Sequence, residues 1–286
     1  MQHSPDEILE MARREVSARH EQERTTKLHR DLPWRYAFIG LAGALLLGLL
    51  AWPGAALNWK MYAVVHGVCA QIHNVEVGGL QLPICARNTG IYSSFLVTFL
   101  MLFAIGRGRA AKLPPIPITV TLVLFILAMA ADGFNSMLRD MLLPHLYTPQ
   151  NWLRTLTGTG MGVAVAVLLL MVLNVSLRKD ADHATPVMRS WLELAGALAL
   201  NLLVMAAMYG NISFMYWPIA ASAWLGITGV LFLVNLLVSA LAMGYDSKIE
   251  RLAQLARPGT LALVLTLVEL GLMSSIRFYF EGRGLM

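Results

Sequence analysis

Two cysteines, two histidines and two arginines carry the chemistry open to this chain. His66, Cys69 and His73 are spaced i, i+3, i+7, which on a helix places all three on one face, and residues 61–73 read as such a helix lying at a membrane surface. Gly78-Gly79 then turns the chain back, and Cys85 follows with Arg87 two residues later. Two imidazoles and two thiols suit a tetrahedral transition-metal site, although the spacing follows no standard zinc pattern. Cys69 and Cys85, the only cysteines, equally suit a disulfide that pins the loop, or thiols that are reduced and simply packed. All three readings stand open on the residues alone. The metal is the only cofactor that any of them would bring.

A second group of polar residues falls at the same side of the chain. Asp132, Gly133 and Asn135 end one apolar run, and Arg139 and Asp140 follow. Gln150, Asn151 and Arg154 open the next run, ahead of Thr157-Gly158-Thr159-Gly160. Ionisable residues within spans are costly, so they usually face the bundle interior and pair. Asp132 is expected to pair with Arg154 or with Arg87. Arg87 and Arg154 together would cradle an anion, since guanidinium forks match phosphate and carboxylate geometry. Asp132 and Asn151 would orient them, with Asn135 and Thr157 in the same ligand-binding set. The competing reading puts these residues in the headgroup layer, solvated, with the arginines snorkelling.

The elements that must position these residues follow from composition. Of 286 residues, 57% are hydrophobic and 14% charged, against about 25% charged in ordinary soluble domains. Apolar runs reach the roughly 20 residues that cross a bilayer. Seven spans are expected, at 35–52, 89–106, 116–138, 153–177, 190–209, 217–243 and 259–280. The fold class is therefore all-α, a polytopic transmembrane bundle. Sixteen of the 22 Lys and Arg fall on one side of this topology, which places the N-terminus in the cytoplasm and the polar groups above at the extracytoplasmic side. The net charge of +5 is carried at the ends of apolar runs, where topology signals and anionic lipid contacts belong, so nucleic acid is excluded as the partner and membrane lipid is expected.

Residues 1–34 form a basic arm with a helix start at Ser4-Pro5-Asp6-Glu7 and no apolar core of a cleavable signal. Residues 35–180 make a membrane half that carries the polar site, and 181–286 a half of packing helices. Leu113-Pro114-Pro115-Ile116-Pro117 reads as a stiff inner connection. Tyr245 to Arg257 reads as a short inner helical segment closed by Pro258-Gly259. Asn201 is placed to bond across helices, and Glu193 and Glu269 read as structural glue.

The run Leu82-Pro83-Ile84-Cys85-Ala86-Arg87-Asn88-Thr89-Gly90-Ile91-Tyr92 resembles a signature of a prokaryotic family of small polytopic membrane proteins of unknown function. That family pairs an upstream Cys-His-Gln with a Cys-Ala-Arg-Cys-Thr-Gly-Ile-Tyr run. An Asp-Gly then closes one span, and an Asn, an Arg and a Thr-Gly open the next. Cys69 and Gln71 fit the first element. Cys85, Ala86, Arg87, Thr89, Gly90, Ile91 and Tyr92 fit the second, Asp132-Gly133 the third, and Asn151, Arg154, Thr157 and Gly158 the fourth. Ala70 stands where the family has its His, and Asn88 where it has its second Cys. The departures favour a disulfide or a degenerate site over a metal. The resemblance implies a topology and a residue list, not a reaction.

The functional expectation is an integral protein of the plasma (inner) membrane whose extracytoplasmic polar site binds or processes a lipid-linked or small anionic group. A transporter or channel, a thiol or metal redox protein, and a non-catalytic scaffold are the alternatives.

Overall fold

The computed structural model describes residue 15, residues 32–69 and residues 72–283. The helix start at Ser4, most of the basic arm, Ala70 and Gln71 lie outside the described residues. The chain is an all-α bundle. Its helices are α1 (Leu32–Ala51), α2 (Leu57–Val65), α3 (Ala86–Ala104), α4 (Ile116–Asp140), α5 (Asn151–Leu177), α6 (Trp191–Tyr209), α7 (Tyr216–Ala242) and α8 (Ala256–Glu281). Two-residue strands β1 (Glu76–Val77) and β2 (Leu80–Gln81) form a hairpin. Strands β3 (Ala110–Lys112) and β4 (Asp182–Pro186) pair in parallel.

Among the described residues, six helices are long and apolar enough to cross a membrane: α1, α4, α5, α6, α7 and α8. The seventh expected span is α3, which is 19 residues long and polar over its first half, with Arg87, Asn88, Thr89, Ser93 and Ser94. That polarity is tolerated because α3 is packed against α5, α7 and α6, so protein rather than lipid meets its hydroxyls. Thr89, Ser93, Ser94 and Thr98 are all buried.

Glycine sets how closely these helices approach. In lipid there is no hydrophobic drive between helices, so small residues that let backbones touch decide which faces meet. Gly158 and Gly162 of α5 lie directly on the α3 backbone at Arg87 and Ile91, and Gly90 of α3 lies on the Thr155 carbonyl. Gly226 of α7 meets the α3 backbone at Tyr92. A side chain at any of these four would overlap main-chain atoms. The α3–α5 contact is the most extensive in the bundle, and it delivers Arg87 beside the start of α5.

The connections sort to two ends, as alternating helix directions require. At the basic end, Asn174 Nδ2 donates to the Ala110 carbonyl at 2.8 Å, Arg107 pairs with Glu193, and Lys179 N donates to Ile249 O at 2.9 Å. Pro117 sits in the first turn of α4, where a missing N–H is harmless. Pro258 and Gly259 likewise lie in the first turns of α8, entered from a 3₁₀ turn at Leu252–Leu255, so they open a helix instead of closing one. At the other end, Gly78 and Gly79 take φ of +61° and +78°, the two positive values a tight hairpin turn needs.

The surface helix expected over 61–73 is shorter than its pattern suggested. Helix α2 stops at Val65, a 3₁₀ turn covers His66–Val68, and Cys69 is extended at φ −147°, ψ 163°. The turn is clamped to α8: Gly67 rests on the Met273–Ser274 backbone, and Ser274 Oγ accepts from Gly67 N at 3.2 Å while donating to Val64 O at 3.0 Å. His66, Cys69 and His73 therefore share no helical face.

Candidate functional site

The site is assembled from three helix ends. Along the last turns of α4, Asp132, Asn135, Ser136, Arg139 and Asp140 recur at i, i+3, i+4, i+7, i+8 and so point the same way. Arg87 occupies the first turn of α3. That turn is anchored by Ala86 N donating to His73 O at 2.8 Å and by Thr89 Oγ1 donating to Ile84 O at 3.1 Å. Asn151, Arg154 and Thr157 occupy the first turns of α5.

Asp132 is the hub, and it is 2% exposed. Arg87 Nη2 and Nε donate to its Oδ2 at 2.6 and 3.2 Å, and Thr157 Oγ1 to the same oxygen at 3.4 Å. Tyr147 Oη donates to Oδ1 at 2.7 Å. Of the two expected pairings, the structure forms Asp132 with Arg87. Arg154 is instead held by neutral groups: its Nη1 donates to Asn151 Oδ1 at 3.0 Å and its Nε to Ser136 Oγ at 3.4 Å. Arg154 is 3% exposed, and its Nη2 is buried with no hydrogen-bond acceptor among the described residues.

The charge balance follows from these contacts. Arg87, Arg139 and Arg154 face Asp132 and Asp140, which leaves one positive charge in excess. Arg139 Nη1 donates to Pro149 O at 3.1 Å, and Asp140 is hydrogen-bonded to His73 Nε2 at 3.3 Å. Desolvation and the Arg154 charge hold the His73 imidazole below its usual pKa even so. On the α4–α5 loop, desolvation of the Tyr147 hydroxyl and its bond to Asp132 push that phenol up to about 12.

The Asn135 side chain is engaged by the α4–α5 loop. Its Oδ1 accepts from Leu146 N at 2.7 Å and its Nδ2 donates to Tyr147 O at 2.9 Å, so it fixes the loop that brings Tyr147 to Asp132. Arg87, Asp132, Asn151, Arg154 and Thr157 are brought together as expected.

The four candidate metal ligands separate. His66 is buried against Glu281, with 2.7 Å between Nε2 and Oε2, and stacks on Phe278 at 4.3 Å between ring centroids. His73 goes to Asp140. Among the described residues, no three His, Cys, Asp or Glu side chains gather as metal ligands. The candidate Cys69–Cys85 disulfide is likewise not formed. The two thiols lie side by side, and the Cys69 thiol, with burial second, raises Cys85 far above an ordinary thiol, which keeps it protonated.

Two site residues went unnoticed in the sequence. Ser136 follows Asp132 by four, so its place on the same helical face was readable. Tyr147 carries no such sign, since only the folded loop returns it to Asp132. Beneath the cluster, Thr89, Ser93, Thr155, Thr159 and Asn201 line a small void with room for about one water molecule.

An all-α bundle with six apolar membrane-length helices and a buried charged cluster near one end defines a multi-pass membrane protein. The family described as "Predicted membrane protein (DUF2085)", an uncharacterised membrane family, matches residues 69–168. That segment runs from Cys69 through most of α5 and contains Arg87, Asp132, Ser136, Tyr147 and Arg154. No curated protein and no solved structure matches the chain.

Proposed function

We propose that the Arg87–Asp132–Arg154 cluster is an anion site on the extracytoplasmic side of the plasma (inner) membrane, taking a lipid-linked or small anionic group such as a phosphate or carboxylate. The observation that carries this reading is Arg154 Nη2. A buried guanidinium with neutral acceptors on two of its nitrogens and none on the third is an incomplete fork, and a buried charge without its counter-charge is costly by several kcal/mol. An anion oxygen at Nη2 completes the fork and cancels the excess charge. Ser136 and Asn151 hold the guanidinium in place, and Asp132 neutralises the neighbouring Arg87. The bias of Lys and Arg to the opposite end supports the assignment of side.

A second reading is transport, supported by the void beneath the cluster, where the hydroxyls of Thr89, Ser93, Thr155 and Thr159 face the apolar side chains of Val204, Met205, Met208 and Ile219. Thr155, whose hydroxyl donates to the Asn151 carbonyl at 3.0 Å, lines that void, and Asn201 continues it by donating to Thr98 Oγ1 at 3.0 Å. Anion passage would then use this strip.

The test is thermal unfolding of the purified protein in detergent, titrated with inorganic phosphate and with short-chain phosphatidic acid. The wild type is expected to be stabilised with saturation by at least one of them, and Arg154→Met to lose that response. An equal response in both proteins overturns the site.

A further inference from the structure

The α4–α5 loop sets an exposed apolar surface next to the charged cluster. Leu142 and Leu146 are 95% and 92% exposed, and Met141 and Leu143 beside them are exposed too. This loop is not loosely tethered. Asn135 bonds both Leu146 and Tyr147, Leu143 N donates to Leu138 O at 2.8 Å, and Arg139 holds Pro149. Leu142 is kept at φ +58°, a left-handed conformation that Leu rarely adopts. The rigid loop thus presents two leucines outward, while the next residue, Tyr147, turns its hydroxyl inward to Asp132. Two nearly bare leucines held at a helix end suit acyl chains, not water. Within two residues the loop joins an apolar lip to a cationic cluster.

Resting on the anion-site reading above, we infer that the ligand is the phosphate of an anionic membrane phospholipid, which enters from the bilayer past the Leu142–Leu146 lip with its acyl chains against those leucines. The excess positive charge selects an anionic headgroup over a zwitterionic one. A water-borne anion would satisfy Arg154 but gain nothing from the lip.

The experiment uses the full chain in detergent micelles, with native mass spectrometry reading bound dioleoylphosphatidylglycerol or dioleoylphosphatidylcholine and thermal shift reading inorganic phosphate. The wild type is expected to hold phosphatidylglycerol about tenfold more tightly than phosphatidylcholine. Leu142→Ser/Leu146→Ser is expected to weaken phosphatidylglycerol about tenfold and leave the phosphate response unchanged. Both leucines are exposed, so this variant keeps the packed bundle, and circular dichroism confirms it. Unchanged lipid affinity in that variant, or equal retention of the two lipids, overturns the lipid inference while the phosphate response still supports the anion site. If the wild type binds neither lipid nor phosphate, the anion site itself falls.

Discussion

Arg87 and Arg154 donate to one hydroxyl: Ser136 Oγ accepts from Arg87 Nη2 at 2.8 Å and from Arg154 Nε at 3.4 Å. Two like charges can sit this close because Asp132 neutralises that of Arg87, while the Arg154 charge keeps only neutral partners. The arrangement makes the arginines unequal, and that inequality can be measured.

Arg87→Met strands the Asp132 carboxylate in a site 2% exposed. The expected loss is about 3 kcal/mol, the low end for breaking a buried pair, because the Arg87 side chain is 21% exposed. Adding Asp132→Asn is expected to recover most of it. Arg154→Met removes a charge that has no carboxylate of its own, so anion-free protein is expected to be as stable or more so. Unfolding by denaturing detergent measures all three variants, and a larger loss for Arg154→Met than for Arg87→Met contradicts the assigned pairing.

Tyr147 gives an alkaline signature. Its folded pKa of about 12 lies above the ordinary value of 10.0, so the folded state keeps a proton that the unfolded state has lost. The contribution is therefore complete below pH 10 and fades as pH climbs through about 12. Tyr147→Phe is expected to lower stability by about 1 kcal/mol at neutral pH and to flatten this limb. Ultraviolet absorbance of the phenolate follows it directly. A wild-type tyrosine spectrum without any group titrating late removes the Asp132 bond from consideration.

His73 works in the opposite direction. Its folded pKa is below the ordinary 6.5, so on acidification the unfolded chain takes up the proton first. Stability from this residue is present above about pH 6.5 and is lost as pH falls through the folded pKa. His73→Gln is expected to reduce the acid sensitivity between pH 7 and 5, read as melting temperature against pH. An unchanged slope would place the acid response elsewhere.

Gly162→Ala drives a methyl into the Ile91 carbonyl and Ser94, so a loss above about 2 kcal/mol is expected. Gly196→Ala in α6 meets nothing within 4 Å and is expected to be neutral or to stabilise by up to about 1 kcal/mol. If the two glycines respond alike, the close α3–α5 approach is not what organises the bundle.

Hydropathy and helical period are properties of consecutive residues, so the sequence by itself determined the long helices, their alternating direction and the shared end of Arg87, Asp132 and Arg154. It also determined the hairpin at Gly78-Gly79 and the cross-helix bond of Asn201. Which groups then meet depends on how helix faces approach, and only the tertiary structure decided that. Glycine contacts between α3 and α5 bring Arg87, not Arg154, to Asp132. Helix α8 claims His66 through Glu281, 215 residues away, which dissolves the expected metal face. Glu269 finds Asn235 Nδ2 at 2.8 Å on the neighbouring helix, a partner no local spacing suggests. The physical reason is the same in each case. A span needs only its own apolar residues to exist, but a buried charge is satisfied by whatever the packed backbones place within about 3 Å of it.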